Sequence, residues 1–376
     1  MSNHLYNRHT LLVGSLFMAA VICLGAFTST ENGKPNNNLF QNEKIVNLAN
    51  HPADSVKNSI LTDTGISIKS FRSAVVDNEN TKWFVTEQGI VSFDGKKWVL
   101  HNKNPKVSAK NVNNLAIEVS QGGQKLWIAS SSGASFASLP FTAETDATTY
   151  LTGNTPILSD SVKRVAVTKS PMRWFGTAKG VSAQKDDKWL KPDYDDYYPV
   201  ELFQDYAITS MATNPGGDSL YVGTEGAGVA RMMRNDVDAI SGASVYAQWG
   251  PILLPSDKIY SVFIENNGTK WFGTDKGISR HSGNNTLKNW KTFTIKDGLI
   301  DNFVQSIAAD KLGQIWIGTK SGVSVFNGSV WSSFTKVNGL NSNNILCIAV
   351  DKAGIVWFGT DDGVSSYEKG RFINYR

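Results

Sequence analysis

Residues 348–370 read IAVDKAGIVWFGTDDGVSSYEKG, and residues 307–328 read IAADKLGQIWIGTKSGVSVFNG. Both stretches open on an apolar run closed by an Asp-Lys turn. A second apolar run follows with a tryptophan inside it, then a Gly-Thr pair, a short turn ending in glycine, and an alternating run. Short apolar runs separated by turn residues describe strands, because a buried helix would need a longer periodic stretch than any turn here leaves room for.

Working outward, the central motif recurs seven times: KWFVTEQG from Lys82, LWIASSSG from Leu126, RWFGTAKG from Arg173, LYVGTEGAG from Leu220, KWFGTDKG from Lys270, IWIGTKSG from Ile315 and VWFGTDDG from Val356. The aromatic anchors Trp83, Trp127, Trp174, Tyr221, Trp271, Trp316 and Trp357 stand 44, 47, 47, 50, 45 and 41 residues apart. A period in this range is that of a propeller blade. Around the last copy, NNILCIAV, IVWFGT, GVSSYE and RFINY supply four strands in succession, a four-stranded meander. A second aromatic follows the anchor by 15 residues at Trp98, Trp189, Trp331 and Phe372, and by 19 at Trp290. One ring on the second strand and one on the outer strand suit the wedge between neighbouring blades, where each buries about 150–250 Å². The expectation is an all-β chain forming a seven-bladed β-propeller of four-stranded antiparallel blades over residues 66–376, without strand exchange at the closure.

The stretches from Ile307 and Ile348, each followed by an aromatic strand, with an NGL turn between them, resemble the two-component regulator propeller repeat. The resemblance implies an extracytoplasmic sensor-type propeller that recognises carbohydrate or other small ligands. It covers roughly residues 66–376 and is strongest in the last three units. In that family an immunoglobulin-like module, a membrane span and a kinase follow the propeller; none follows the last repeat here, so recognition is expected of this chain rather than signal transmission.

The opposite end reads as an export signal. Residues 1–10 carry Arg8 without an acid and lead into LLVGSLFMAAVICLGAF, the apolar run of residues 11–27. Residues 1–27 are expected to be a signal peptide or N-terminal anchor, and residues 28–65, rich in Asn, a linker in which residues 45–48 could add an outer strand. The chain is therefore expected to be exported, periplasmic or at the cell surface, and to meet a membrane only through this segment. Cys23 lies in the apolar run with Ile22 before it, where a lipid-attachment site normally has a small residue. Cys347 is the only other cysteine, so neither a disulfide framework nor a cysteine-built metal site is available. A net charge of +4 over 376 residues, with 19% charged residues, is too weak and diffuse for electrostatic nucleic-acid binding.

In a propeller the first strand of each blade lines the channel, and the turns preceding it share a face with the turns between the second and third strands. Two positions before the first apolar residue of that strand stand Asn113, Asp160, Tyr206, Asp257, Asn302 and Asn343. This polar ring, with Asp275 and Asp361 in the outer turns, is the candidate ligand-binding set. The bland reading of the same residues is turn capping through their own backbone. Residues 191–206, KPDYDDYYPVELFQDY, mix aromatic rings with acids, a composition suited to stacking sugars and accepting their hydroxyl protons. No catalytic residue, metal or cofactor is expected: G-x-S-x-G, H-E-x-x-H and the phosphate-binding glycine loop are absent, and His51, His101 and His281 belong to different segments. The expected function is non-catalytic binding of a small polar ligand or glycan. The alternatives are a scaffold or adhesion module meeting proteins at its rim, and a propeller lyase or hydrolase.

Overall fold

The computed structural model describes residues 56–57, 59–102, 111–142, 144–168, 172–192, 206–217, 219–234, 239–246, 254–283 and 288–376. The chain divides into two compact units, residues 1–47 and 48–376, and all of the first lies outside the described residues. The calls on the signal segment and on residues 45–48 therefore lie outside them too.

Within the second unit the described residues form seven sheets, each built on an antiparallel meander of four consecutive strands. In the sixth blade these are Val304–Ala309, Ile315–Thr319, Val323–Phe326 and Trp331–Phe334. Why the repeat reads as it does is visible in its turn. The Thr319 hydroxyl donates to the Gly322 carbonyl at 2.8 Å and accepts from the Ser321 N–H, so one side chain closes the hairpin between the second and third strands. The other six blades do the same with Thr86, Ser130, Thr177, Thr224, Thr274 and Thr360. Gly322 has φ +139°, and a Cβ there would meet the Phe334 carbonyl at 2.4 Å, so no other residue fits.

The core is distributed over the seams between blades. Seven apolar clusters are present, and each joins residues of two neighbouring blades. The seam between blades 7 and 1 holds Phe71, Phe84, Trp98, Trp357 and Tyr375 and is built like the rest. The ring is closed by ordinary packing. The second-strand tryptophans are buried there, and in five blades the indole N–H is satisfied by an acid from the end of the first strand: Trp83 by Asp77, Trp127 by Glu118, Trp271 by Glu265, Trp316 by Asp310 and Trp357 by Asp351, at 2.5–3.0 Å. A ring of this size buried beside an unpaired polar atom would lose part of its apolar gain to desolvation. Trp174 lacks such an acid, and its indole nitrogen is buried without a partner.

Two sheets gain a fifth strand. Val56–Lys57 lies parallel to the last strand, Arg371–Tyr375, and Lys191–Pro192 lies parallel to Ala239–Tyr246 in blade 4. After the first of these, a short helix, Ser59–Thr64, brings Ile60 into the seam between blades 7 and 1 with no exposed surface. It is held from both sides: the Ile60 N–H donates to the Arg376 carbonyl at 3.0 Å, and the Asp63 carboxylate accepts from the Trp98 N–H at 2.9 Å. Residues 56–57 and 59–64, placed in the linker by composition, thus pack on the propeller.

Candidate functional site

All seven first strands enter the channel through a bulge. The ladder to the second strand shifts by one residue between Phe71 and Ser73, Val112 and Asn114, Val162 and Arg164, Ile208 and Ser210, Ile259 and Ser261, Val304 and Ser306, and Ile345 and Cys347. A bulge re-aims the extra side chain. In three blades this residue clasps the next blade: Asn113 donates to the Val162 carbonyl, Thr209 to that of Ile259 and Gln305 to that of Ile345. In blade 5 the bulged residue is Tyr260, whose ring packs on Phe303 of blade 6 at 4.5 Å between centroids. The Lys320 ammonium sits 3.6 Å above the other partner of that pair, Phe303.

This aromatic pair is bordered by acids. Burial, then the charges of Asp275 and Glu225, raise the Tyr260 phenol above its ordinary range. Tyr206 is 41% exposed and lies across Gly226, where a Cβ would meet its ring at 2.7 Å. Asp301 is fixed by the Ser321 hydroxyl at 2.7 Å and by its own turn, accepting from Phe303 N–H. Asp275 differs from all of these. One of its carboxylate oxygens is buried without a hydrogen-bond partner, and it makes no ion pair among the described residues. The arrangement can stack an apolar ring face and accept hydrogen bonds or a positive charge beside it.

The residues counted from the sequence are brought to this same face, most of them at seams. The side-chain oxygens of Asp160, Asn302 and Asn343 accept backbone N–H groups from Thr152, Ile295 and Lys336, the starts of the preceding loops. In blades 6 and 7 those loops are single turns of 3-10 helix, Ile295–Asp297 and Lys336–Asn338, each begun by a threonine capping box. The Asp160, Asp257 and Asn302 carbonyls take the turn-glycine N–H of the preceding blade. Asp361 is bound by the Ser342 hydroxyl at 2.6 Å and the Asn344 amide at 2.9 Å. Of the expected set only Asp275 is placed beside the aromatic pair, through its charge on Tyr260, while Tyr206 lies on Gly226, next to Glu225. Tyr260, Phe303 and Glu225 complete the site; the first two fall one position after and one before the first apolar residue of their strands, where a bulge, not visible as a pattern in one sequence, decides the direction. Of residues 191–206 only Lys191, Pro192 and Tyr206 are described, so that loop otherwise lies outside the structure.

On the opposite face a cavity of about 740 Å³ opens where the first strands end, with Glu265, Asp310, Lys311, Asp351 and Lys352 on its walls. Its three acids are already held by tryptophan indoles and turn amides. The described histidines lie toward the outer strands: His101 against Trp83 and Phe141 with its Nε2 on the Ser92 hydroxyl, His281 stacked on Trp290 at 4.5 Å. Burial lowers the His101 pKa to about 4. Among the described residues no group of His, Cys, Asp and Glu is placed to hold a metal, and no helix is long and apolar enough to cross a membrane.

These features define a seven-bladed β-propeller with a partly aromatic entry face. Two of its repeats, residues 298–321 and 339–362, match the model of the family described as two component regulator propeller. No curated protein matches the chain. Among solved structures, the extracellular domain of the hybrid two-component system BT3049 from B. thetaiotaomicron is 19% identical with a TM-score of 0.65; the match covers 85% of this chain and 41% of that one. PorZ, an essential bacterial surface component of the type-IX secretion system of Porphyromonas gingivalis, is 19% identical with a TM-score of 0.61, over 80% of this chain and 46% of that one. Virginiamycin B lyase from Staphylococcus aureus is 13% identical with a TM-score of 0.56, over 79% and 95%. At these identities the likeness is one of fold.

Proposed function

We propose that the chain is an exported, non-catalytic recognition propeller that holds a small polar ligand, carbohydrate being the favoured class, against Tyr260 and Phe303 on the entry face of blades 4–6. The observation that carries this reading is Asp275: a carboxylate oxygen buried beside an aromatic platform and left without a donor is costly unless a ligand supplies one. Tyr206 and Glu225 extend the platform toward blade 4. Export is supported by the Arg8-led apolar run of residues 1–27 and by the extracellular setting of the BT3049 domain. The same fold carries a lyase, but the described histidines of this chain are packed away from the entry mouth, which favours binding over turnover.

A glycan array followed by calorimetric titration of the bound glycan tests this. Tyr260→Ala and Asp275→Asn are each expected to weaken binding tenfold or more, about 1.4 kcal/mol, with a melting temperature close to that of the unaltered protein. Equal affinity in both variants overturns the site, and turnover of the bound glycan overturns the non-catalytic reading.

A further inference from the structure

Arg164 stands at the second ladder position of the first strand of blade 3, directly after the bulge. The equivalent residues of the other blades are Ser73, Asn114, Ser210, Ser261, Ser306 and Cys347, all neutral. Where their bonds are seen they knit the inner wall of the ring: Asn114 accepts from Val165 N–H and donates to Ser73, Ser210 accepts from Val262 N–H, and the Cys347 thiol donates to the Phe71 carbonyl. Arg164 cannot take the accepting role, having only donors. Its one hydrogen bond runs from Nη1 to the Lys163 carbonyl at 2.8 Å, and it forms no ion pair among the described residues. Burial, with no compensating charge, pulls its pKa down to about 10. At the same level in blade 6 the Ser306 hydroxyl is buried without a partner.

A partly buried guanidinium that gives one N–H to a neighbouring carbonyl and meets no acid among the described residues, in a ring of otherwise neutral side chains, is a cation open to a counter-charge. Guanidinium is also the side chain whose fork matches a carboxylate or phosphate edge. We infer that the channel at the level of Arg164 is a binding site for a compact oxyanion, a carboxylate or phosphate group, held by the Arg164 fork. It is separate from the entry-face platform in blades 4–6 and stands whether or not that platform binds sugar.

Titration of the full chain with sodium acetate, inorganic phosphate and sodium glucuronate at constant ionic strength, followed by melting temperature, tests the site. Saturable stabilisation by acetate or phosphate is expected, at least tenfold weaker in Arg164→Gln and intermediate in Arg164→Lys, while Asp275→Asn leaves it unchanged. Acetate binding without glucuronate binding identifies a free ion as the occupant; glucuronate binding identifies the carboxylate of a larger ligand, and both are lost with Arg164. An identical response in the unaltered protein and Arg164→Gln overturns the inference. Should that variant fail to fold, crystals of the unaltered protein soaked in bromide decide: anomalous density on the Arg164 guanidinium supports the site, and bromide confined to the outer surface overturns it.

Discussion

Blades 5 and 7 share the same turn, GTDKG at residues 273–277 and GTDDG at residues 359–363, yet the first acid of each has a different fate. Asp361 is saturated by Ser342 and Asn344 of its own blade. Asp275 has Ser256 and Lys258 at the corresponding positions; the Ser256 hydroxyl caps the Lys258 N–H, and neither side chain reaches the carboxylate. Replacing a short amide by a long exposed cation has emptied the acid's hydrogen-bonding shell without altering the turn, since the threonine-glycine bond is 2.8 Å in both. Residue type at a repeated position therefore does not tell structure from function in this ring. Whether the group is already satisfied does.

Substitutions at three acids grade this distinction. Glu118 is a fully partnered acid, taking two bonds from Arg173 at 2.6 and 2.8 Å and one from the Trp127 indole, with 3% of its surface exposed. Glu118→Ala removes three bonds and leaves Arg173 between blades 2 and 3 with only Gln184 and the exposed Asp187 as partners, and a loss of about 3 kcal/mol in chemical denaturation is expected. The same acid predicts a pH dependence. Burial pushes its pKa up, but the Arg173 and Trp127 hydrogen bonds outweigh that and hold it below its ordinary value of 4.5. A depressed carboxylate pKa means stability that is full above 4.5 and is lost as pH falls through the folded value. A melting series from pH 6 to pH 3 should therefore be flatter in Glu118→Gln. Asp361→Ala, which removes two bonds at an exposed turn, should cost about 1 kcal/mol. Asp275→Asn should change stability by no more than about 0.5 kcal/mol. If Asp275→Asn costs as much as Asp361→Ala in the same denaturant series, the contrast between the two turns fails.

The blades were legible because their signal is repeated and local. Anchor, turn threonine and glycine each answer a constraint inside one hairpin, and seven repetitions leave the fold little choice. The tryptophan-acid clip was equally present in the sequence, as an acid six residues before Trp83, Trp271, Trp316 and Trp357, but Asp351 reads as an ordinary turn residue until its second oxygen is seen on the indole. The entry face was legible only as a face. The oxygens of Asn302 and Asn343 cap 3-10 turns, and Tyr260 depends on a bulge whose effect one sequence does not display. Residues 56–57 were hidden for another reason: a two-residue strand has no periodicity to find, and its partner, the strand Arg371–Tyr375, lies at the far end of the chain.

The seam between blades 7 and 1 also sets a timetable. The Cys347 thiol meets the Phe71 carbonyl across 276 residues, and Ile60 waits for the carbonyl of Arg376. During synthesis blade 1 is thus among the first to emerge and the last to be covered, with Phe71 and Trp98 open until blade 7 arrives. Closing so long a loop is slow, and an exposed aromatic wedge is prone to self-association in the interval. The chain spends its growth as an unfinished arc and acquires its stability in the final step.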